Sequence, residues 1–382
     1  MLVICPGIER VLQEGSWILR HLSCHTSLHR FDAKEVRPIT MYKGTYTLIG
    51  QELSMFTRKL EAQLRYQGIP YVWQYKTMAS ASEIEARAGT RFIPLLDTPD
   101  GWLLNDTISI GPMLHDRFGH QPVIPPSPNQ RSLCFVLEDF FNHWLPRHAL
   151  HSRWCYPETV AAAGKNFGMN LLLAKSIDDS RTDTEEEQVA GVGEMMHNSF
   201  GAAACIVQGA GDDQKEAMQK DFGVFVDLLA EHFKHHKFLL GDRACIADFA
   251  LVGPFKGHFL LDPEPKAWLG DKLPVFEDYM AKVWQQAEDD ADWLADDEIP
   301  ETLEPLLHYM QRTYQKFAAA SINAAQANEK LFDVDVGYGV FTARSMKRLE
   351  KARLHVQDEL RRCQAGALPL NKQGILNFYL DS

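Results

Sequence analysis

The chain is poor in paired cysteines and long apolar runs, and basic residues are outnumbered. Its seven cysteines, Cys5, Cys24, Cys134, Cys155, Cys205, Cys245 and Cys363, include no Cys-x-x-Cys pair and are widely spaced. That odd count suits free thiols in a reducing compartment, which points to the cytoplasm and away from a disulfide framework or a zinc knuckle. No uninterrupted apolar stretch reaches the roughly 18 residues of a spanning helix. Lys and Arg total 39 against 51 Asp and Glu, a net charge of −12, which argues against a broad nucleic-acid or anionic-membrane surface. A local site for a small anion is still compatible with that balance.

What is present is the composition of a globular protein: 45% hydrophobic and 24% charged over 382 residues, enough for two or three domains. Residues 1–40 hold Arg10, Arg20 and Arg30, but also Glu9, Glu14, Asp32 and Glu35. A transit peptide is poor in acids. A floppy extension, or a start placed too early with Met41 the real beginning, is the expectation for this stretch.

From Met41 the pattern becomes regular. TYTLIG (45–50) reads as a short strand. A helix follows from about Ser54 to Gln67, with Phe56, Leu60 and Leu64 on one stripe and Gly68 as its stop. IPYVWQY (69–75) is a second strand and SASEIEARAG (80–89) a short helix. RFIPLLDTP (91–99) and GWLLND (101–106) are strands joined at Pro99-Asp100-Gly101, and a closing helix runs over 106–119. The order β-α-β-α-β-β-α defines one small α/β domain, 41–120. QPVIPPSPNQ, with four prolines in ten residues, marks a linker at 121–128. Beyond it the pattern is helical over 129–320, with an acidic run at 288–301 that reads as a solvated face. The extension 321–382 predicts a hairpin and then a helix of mixed charge, an exposed or partner-facing surface.

Three segments in this order resemble the glutathione transferase superfamily over about 41–286. They are SMFTRK at a strand-to-helix turn, FIPLL followed by LLNDT, and FLLGDRACIADFAL in the helical half. The resemblance implies an α/β thioredoxin-like domain followed by an all-α helical domain. It also implies glutathione as co-substrate and an electrophilic small molecule as second substrate. Members are often homodimers. No metal, nucleic acid or membrane span is implied. A non-catalytic binding or scaffold protein on the same fold is the alternative, and the extension suits it.

Each site residue has a plain structural reading beside the functional one. Ser54 is a favoured N-cap. The resemblance, of the serine type, makes it the residue that contacts the glutathione thiolate, with Phe56 nearby in the binding site. A helix N-terminus favours such an anion and raises the share of nucleophile. Pro94 is either a trans proline at a strand edge or, as the resemblance implies, a cis proline that turns the Ile93 backbone toward the cysteinyl part of the tripeptide. Asp106 and Thr107 are either an N-cap or the pair that meets the γ-glutamyl ammonium and carboxylate. Arg91 is near enough in sequence to reach the glycyl carboxylate, though its spacing does not require it.

Elsewhere the functional signals are weak. Cys245-Ile246-Ala247-Asp248 keeps the acidic half of a capping box and loses the hydroxyl half, which weakens that helix start. Cys205 and Cys245 lie among apolar residues and read as inert packing. His148 and His151 share a helix face, and His232 and His236 stand at i, i+4, but neither pair has a third ligand, so both read as packed histidines.

Overall fold

The computed structural model describes residues 44–380. The expectations for residues 1–40 and for Met41 lie outside the described residues.

The sheet occupies the first part of the described chain. β1 (Tyr46–Gly50) pairs in parallel with β2 (Tyr71–Tyr75) through the crossover helix α1 (Met55–Tyr66). After α2 (Ala81–Ala88) come the antiparallel strands β3 (Leu95–Asp97) and β4 (Leu103–Asn105), and then α3 (Thr107–Arg117). The sheet order is β2-β1-β3-β4. One face packs Tyr46, Leu48 and Leu96 against Leu60 and Leu64 of α1 and Ile110 and Leu114 of α3. The other packs Ile49 and Leu95 against Ile84 and Ala88 of α2. Buried on both faces, β1 has the apolar run that such a central strand needs. Gly68 ends the α1 segment with φ of 63°. β3 is shorter than expected because pairing begins only after Pro94, which has no N–H to give.

The helical part runs through α4 (Pro128–Trp154), α5 (Pro157–Leu171), α6 (Asp183–Val189), α7 (Val192–Met196) and α8 (Ala202–Val207). It continues with α9 (Lys215–Phe233), α10 (Ile246–Pro254), α11 (Pro263–Leu269), α12 (Leu273–Val283), α13 (Glu304–Met310) and α14 (Lys316–Gln326). A π-turn, Gln311–Gln315, joins α13 to α14, so the two run on as one helix with one wide turn. Asp297, in the acidic run, is more than a solvated charge. Its carboxylate accepts from the N–H groups of Asn129 (2.8 Å) and Gln130 (2.9 Å) and caps α4. At α10, Asp248 accepts from the Cys245 N–H at 2.8 Å, and the Cys245 sulfur keeps the other arm of the box as a weak acceptor. The arm expected to be lost is therefore retained in softer form.

α1 docks on α10 at very close range. A Cβ at Gly253 would lie 2.3 Å from the Met55 carbonyl oxygen, so only glycine fits there. Beside this seam Lys59 and Glu138 form a buried ion pair of 2.6 Å, with Asn142 accepting a second bond from Lys59 at 3.2 Å.

The C-terminal elements are β5 (Leu331–Asp335), β6 (Val340–Arg344), α15 (Lys347–Arg362) and α16 (Asn377–Leu380). The hairpin is as expected, but the mixed-charge helix is not simply exposed. Leu349, Ala352, Val356 and Leu360 recur at helical spacing and are buried. Phe332, Leu349, Val356 and Tyr379 share one continuous core with Leu133, Phe140 and Trp144 of α4. Tyr314 and Tyr379 both donate to Asp139 of α4, at 2.7 and 2.9 Å.

Candidate functional site

The strand register brings the three motifs of the α/β part to one end of the sheet. Ile49 is opposite Leu95, and Leu95 is opposite Asn105. The turn after β1, which carries Ser54, the Ile93-Pro94 bond before β3 and the Asp106-Thr107 step after β4 therefore leave the sheet on the same edge.

Ser54 is the N-cap of α1, with φ −91° and ψ 117°, and its Oγ accepts from the Thr57 N–H at 3.3 Å. The Ile93-Pro94 bond is cis. Pro94 is buried and Ile93 half-buried. Asp106 is exposed and has φ of 76°, a left-handed backbone that a non-glycine residue rarely holds. Its Oδ1 accepts from the Ile108 N–H at 3.1 Å, so it caps α3, and Thr107 is buried at the first helical position. The Asp106 carboxylate also lies 3.9 Å from the Lys351 ammonium on α15, a solvent-screened pair. Phe56 is half-buried against the helical core. Arg91 is exposed, its guanidinium 5.5 Å from the Phe92 ring centroid.

The residues that fix the Ser54 turn lie far away in sequence. Glu52 accepts from the Asn170 amide (3.0 Å), the Ile177 N–H (2.8 Å) and the Ser176 hydroxyl (3.1 Å). Asn170 also accepts from the Glu52 N–H at 2.8 Å. Arg58 donates to the Glu52 carbonyl at 2.9 Å and pairs with Glu61 at 2.7 Å. Arg153, buried near the end of α4, donates to the Leu53 carbonyl (2.9 Å), to Asp262 (2.7 Å) and to the Gly257 carbonyl. Ser54 is thus flanked by two residues clamped from the helical part. A charged residue in a strand-to-helix turn, the Glu of QELS, was the signal available in sequence, but its partners could not be read there.

The histidines are packed. His148 is fully buried and lies 2.8 Å from Asp221, and His232 bonds Thr302 and the Phe238 carbonyl. Among the described residues, no group of three His, Cys, Asp or Glu side chains is placed to hold a metal ion, and no helix is long and apolar enough to cross a membrane.

These elements define a protein class: a thioredoxin-like domain followed by an all-helical domain. The family model described as "Glutathione S-transferase, C-terminal domain" matches residues 195–287. That match falls within the helical part, and the fold before it is thioredoxin-like. No curated protein matches the chain. Among solved structures, a glutathione S-transferase from Pseudomonas fluorescens Pf-5 is 19% identical, with 62% of this chain and 93% of that chain covered and a TM-score of 0.33. The beta-etherase LigF from Sphingobium sp. strain SYK-6 is 18% identical, with 63% and 95% covered and a TM-score of 0.41. A glutathione S-transferase from Methylobacterium radiotolerans JCM 2831, in complex with glutathione sulfonate, is 14% identical, with 66% and 100% covered and a TM-score of 0.33.

Proposed function

We propose that the protein is a glutathione-dependent transferase that joins or transfers the glutathione thiolate to an electrophilic small molecule. One observation carries this reading: the register that gathers Ser54, Ile93-Pro94 and Asp106-Thr107 at a single sheet end. The Ser54 oxygen accepts from Thr57, so its hydroxyl hydrogen is the group that a bound sulfur meets. That bond and the positive end of α1 favour thiolate over thiol. The Ile93 backbone pairs with the cysteinyl residue as an added strand would. Asp106 takes the γ-glutamyl ammonium, and Thr107, at the start of α3, takes its carboxylate. Phe56 closes the sulfur end.

In this reading 41–120 is the glutathione-binding domain, 121–128 the linker, 129–320 the helical domain and 321–382 an extension, working in the cytoplasm as a homodimer. Retention on immobilised glutathione, followed by turnover of a model electrophile, tests it. Ser54→Ala should keep retention and lose most turnover. Equal turnover in the variant rejects the role of Ser54. Failure of the wild type to be retained favours the second reading, a scaffold without chemistry.

A further inference from the structure

A second chemical site lies within the helical part. Cys155 caps the C-terminus of α4, and Cys205 is on α8. The peptide unit of Ala210 ties them together. Its N–H donates to the Cys205 carbonyl at 2.9 Å. Its carbonyl accepts from the His151 Nδ1–H at 2.9 Å and from the Cys155 thiol at 3.7 Å. The two cysteines pack in one apolar cluster with Trp154 and Phe167. His151 is fully buried, and its Nε2 has no hydrogen-bond partner. With Nδ1 donating to Ala210, that orphan nitrogen is a base with nothing to accept from.

Cys155 also forms part of the wall of a cavity of about 530 Å³. Trp154, Pro157, Val160, Val189 and Ala190 make the lining mostly apolar, with Lys165, Glu194 and Asp212 as its charged members. Its walls are held by close backbone contact: a Cβ at Gly164 would lie 2.2 Å from the Gly193 Cα. A half-buried thiol thus lines a cavity of ligand size, with a second thiol in the apolar cluster behind it and an unsatisfied imidazole sharing its Ala210 acceptor.

We propose that this cavity is a thiol–disulfide exchange site for small, largely apolar organic disulfides, with Cys155 as the attacking thiol and Cys205 as the resolving thiol. The Cys155 thiolate attacks one sulfur of the substrate R–S–S–R, forming a mixed disulfide and expelling one thiolate. Cys205 gives its proton to that first expelled thiolate and attacks the Cys155 sulfur, expelling the second thiolate. The two leaving groups take up the two thiol protons, so one substrate disulfide and two protein thiols become one protein disulfide and two free thiols. The second thiol is what selects this chemistry. A carbon electrophile would leave a thioether that Cys205 cannot displace, whereas a mixed disulfide is its natural target. The neighbouring Cys205, and His151 after it, lower the Cys155 thiol from its ordinary range and so raise its thiolate share.

The chain contains its own control. Cys134 and Cys245 also share one core, but both are fully buried. Neither lines this cavity.

The test uses 4,4′-dithiodipyridine, a neutral aromatic disulfide whose released thiopyridone is read by absorbance, followed by peptide mapping. In the wild type, Cys155 should react about tenfold faster than half-buried Cys363. The product should be a Cys155–Cys205 disulfide with no retained thiopyridyl group, while Cys134 and Cys245 remain thiols. Cys205→Ser should release one thiopyridone and keep a thiopyridyl adduct on Cys155. Cys155→Ser should leave Cys205 unreacted and leave retention on glutathione unchanged, which separates this site from the one at Ser54. A stable adduct on Cys155 of the wild type with Cys205 still free overturns the proposal, as does a Cys155 no faster than Cys363. The wild-type map alone decides the outcome if either variant folds poorly.

Discussion

Arg153 donates a 2.9 Å hydrogen bond to the carbonyl of Leu53, the residue before Ser54. The same guanidinium holds Asp262 at 2.7 Å, and both side chains are 1% exposed. One buried cation therefore fixes a turn of the α/β part and neutralises a carboxylate of the helical part. Arg153→Met should leave Asp262 buried and unpaired, at a cost of about 3–5 kcal/mol. Arg153→Lys keeps the charge but cannot reach three acceptors, so it should cost less while still loosening the turn. Urea unfolding gives the stability, and glutathione affinity of the Lys variant reads the turn.

The Lys59–Glu138 pair at the seam of α1 and α4 makes a second prediction. Replacing either partner alone by Ala should destabilise by about 3–5 kcal/mol, because a buried charge is left without its counter-ion. The double change Lys59→Met with Glu138→Leu should cost far less than the sum of the singles. A double-mutant cycle in denaturant measures the difference.

α15 belongs to the core, so trimming it should be felt globally. Leu360 is fully buried, and Leu360→Ala should cost about 2–5 kcal/mol. Leu354, exposed on the same helix, should tolerate the change with little loss. Midpoints of chemical denaturation compare the two.

Acid sensitivity follows from the packed histidines. Burial pushes His232 down to about 4, below the ordinary histidine value of 6.5. The unfolded chain takes up a proton as pH falls through about 6.5, and the folded chain does not until about 4. Stability is therefore complete above about 6.5 and is lost as pH falls toward 4, by up to about 3 kcal/mol from this residue. His258, driven down by burial and by Arg153, has the same sign. His232→Gln should flatten the loss between pH 6.5 and 4, as measured by urea midpoints across that range.

Local chemistry was readable in the chain, and distant pairing was not. The stripe Phe56, Leu60, Leu64 with Ser54 before it and Gly68 after it specifies α1 almost to the residue, because period, cap and stop all act within one helix. The order of elements in 46–117 is legible for the same reason. The clamp on Ser54 is invisible because Glu52 meets Asn170, and Leu53 meets Arg153, across separations of 118 and 100 residues. α15 shows its charges in sequence, yet Leu349, Val356 and Leu360 carry its packing. Cys205 reads as inert from its apolar neighbours, since nothing local places Cys155 in the same cluster.

The central claim is that the Ser54 turn holds a thiolate. Its most direct test is the ultraviolet absorbance of bound glutathione followed across pH. The account predicts that the bound thiol ionises well below free glutathione in the wild type and moves back toward the free value in Ser54→Ala. A bound thiol that titrates like free glutathione in both proteins would contradict it.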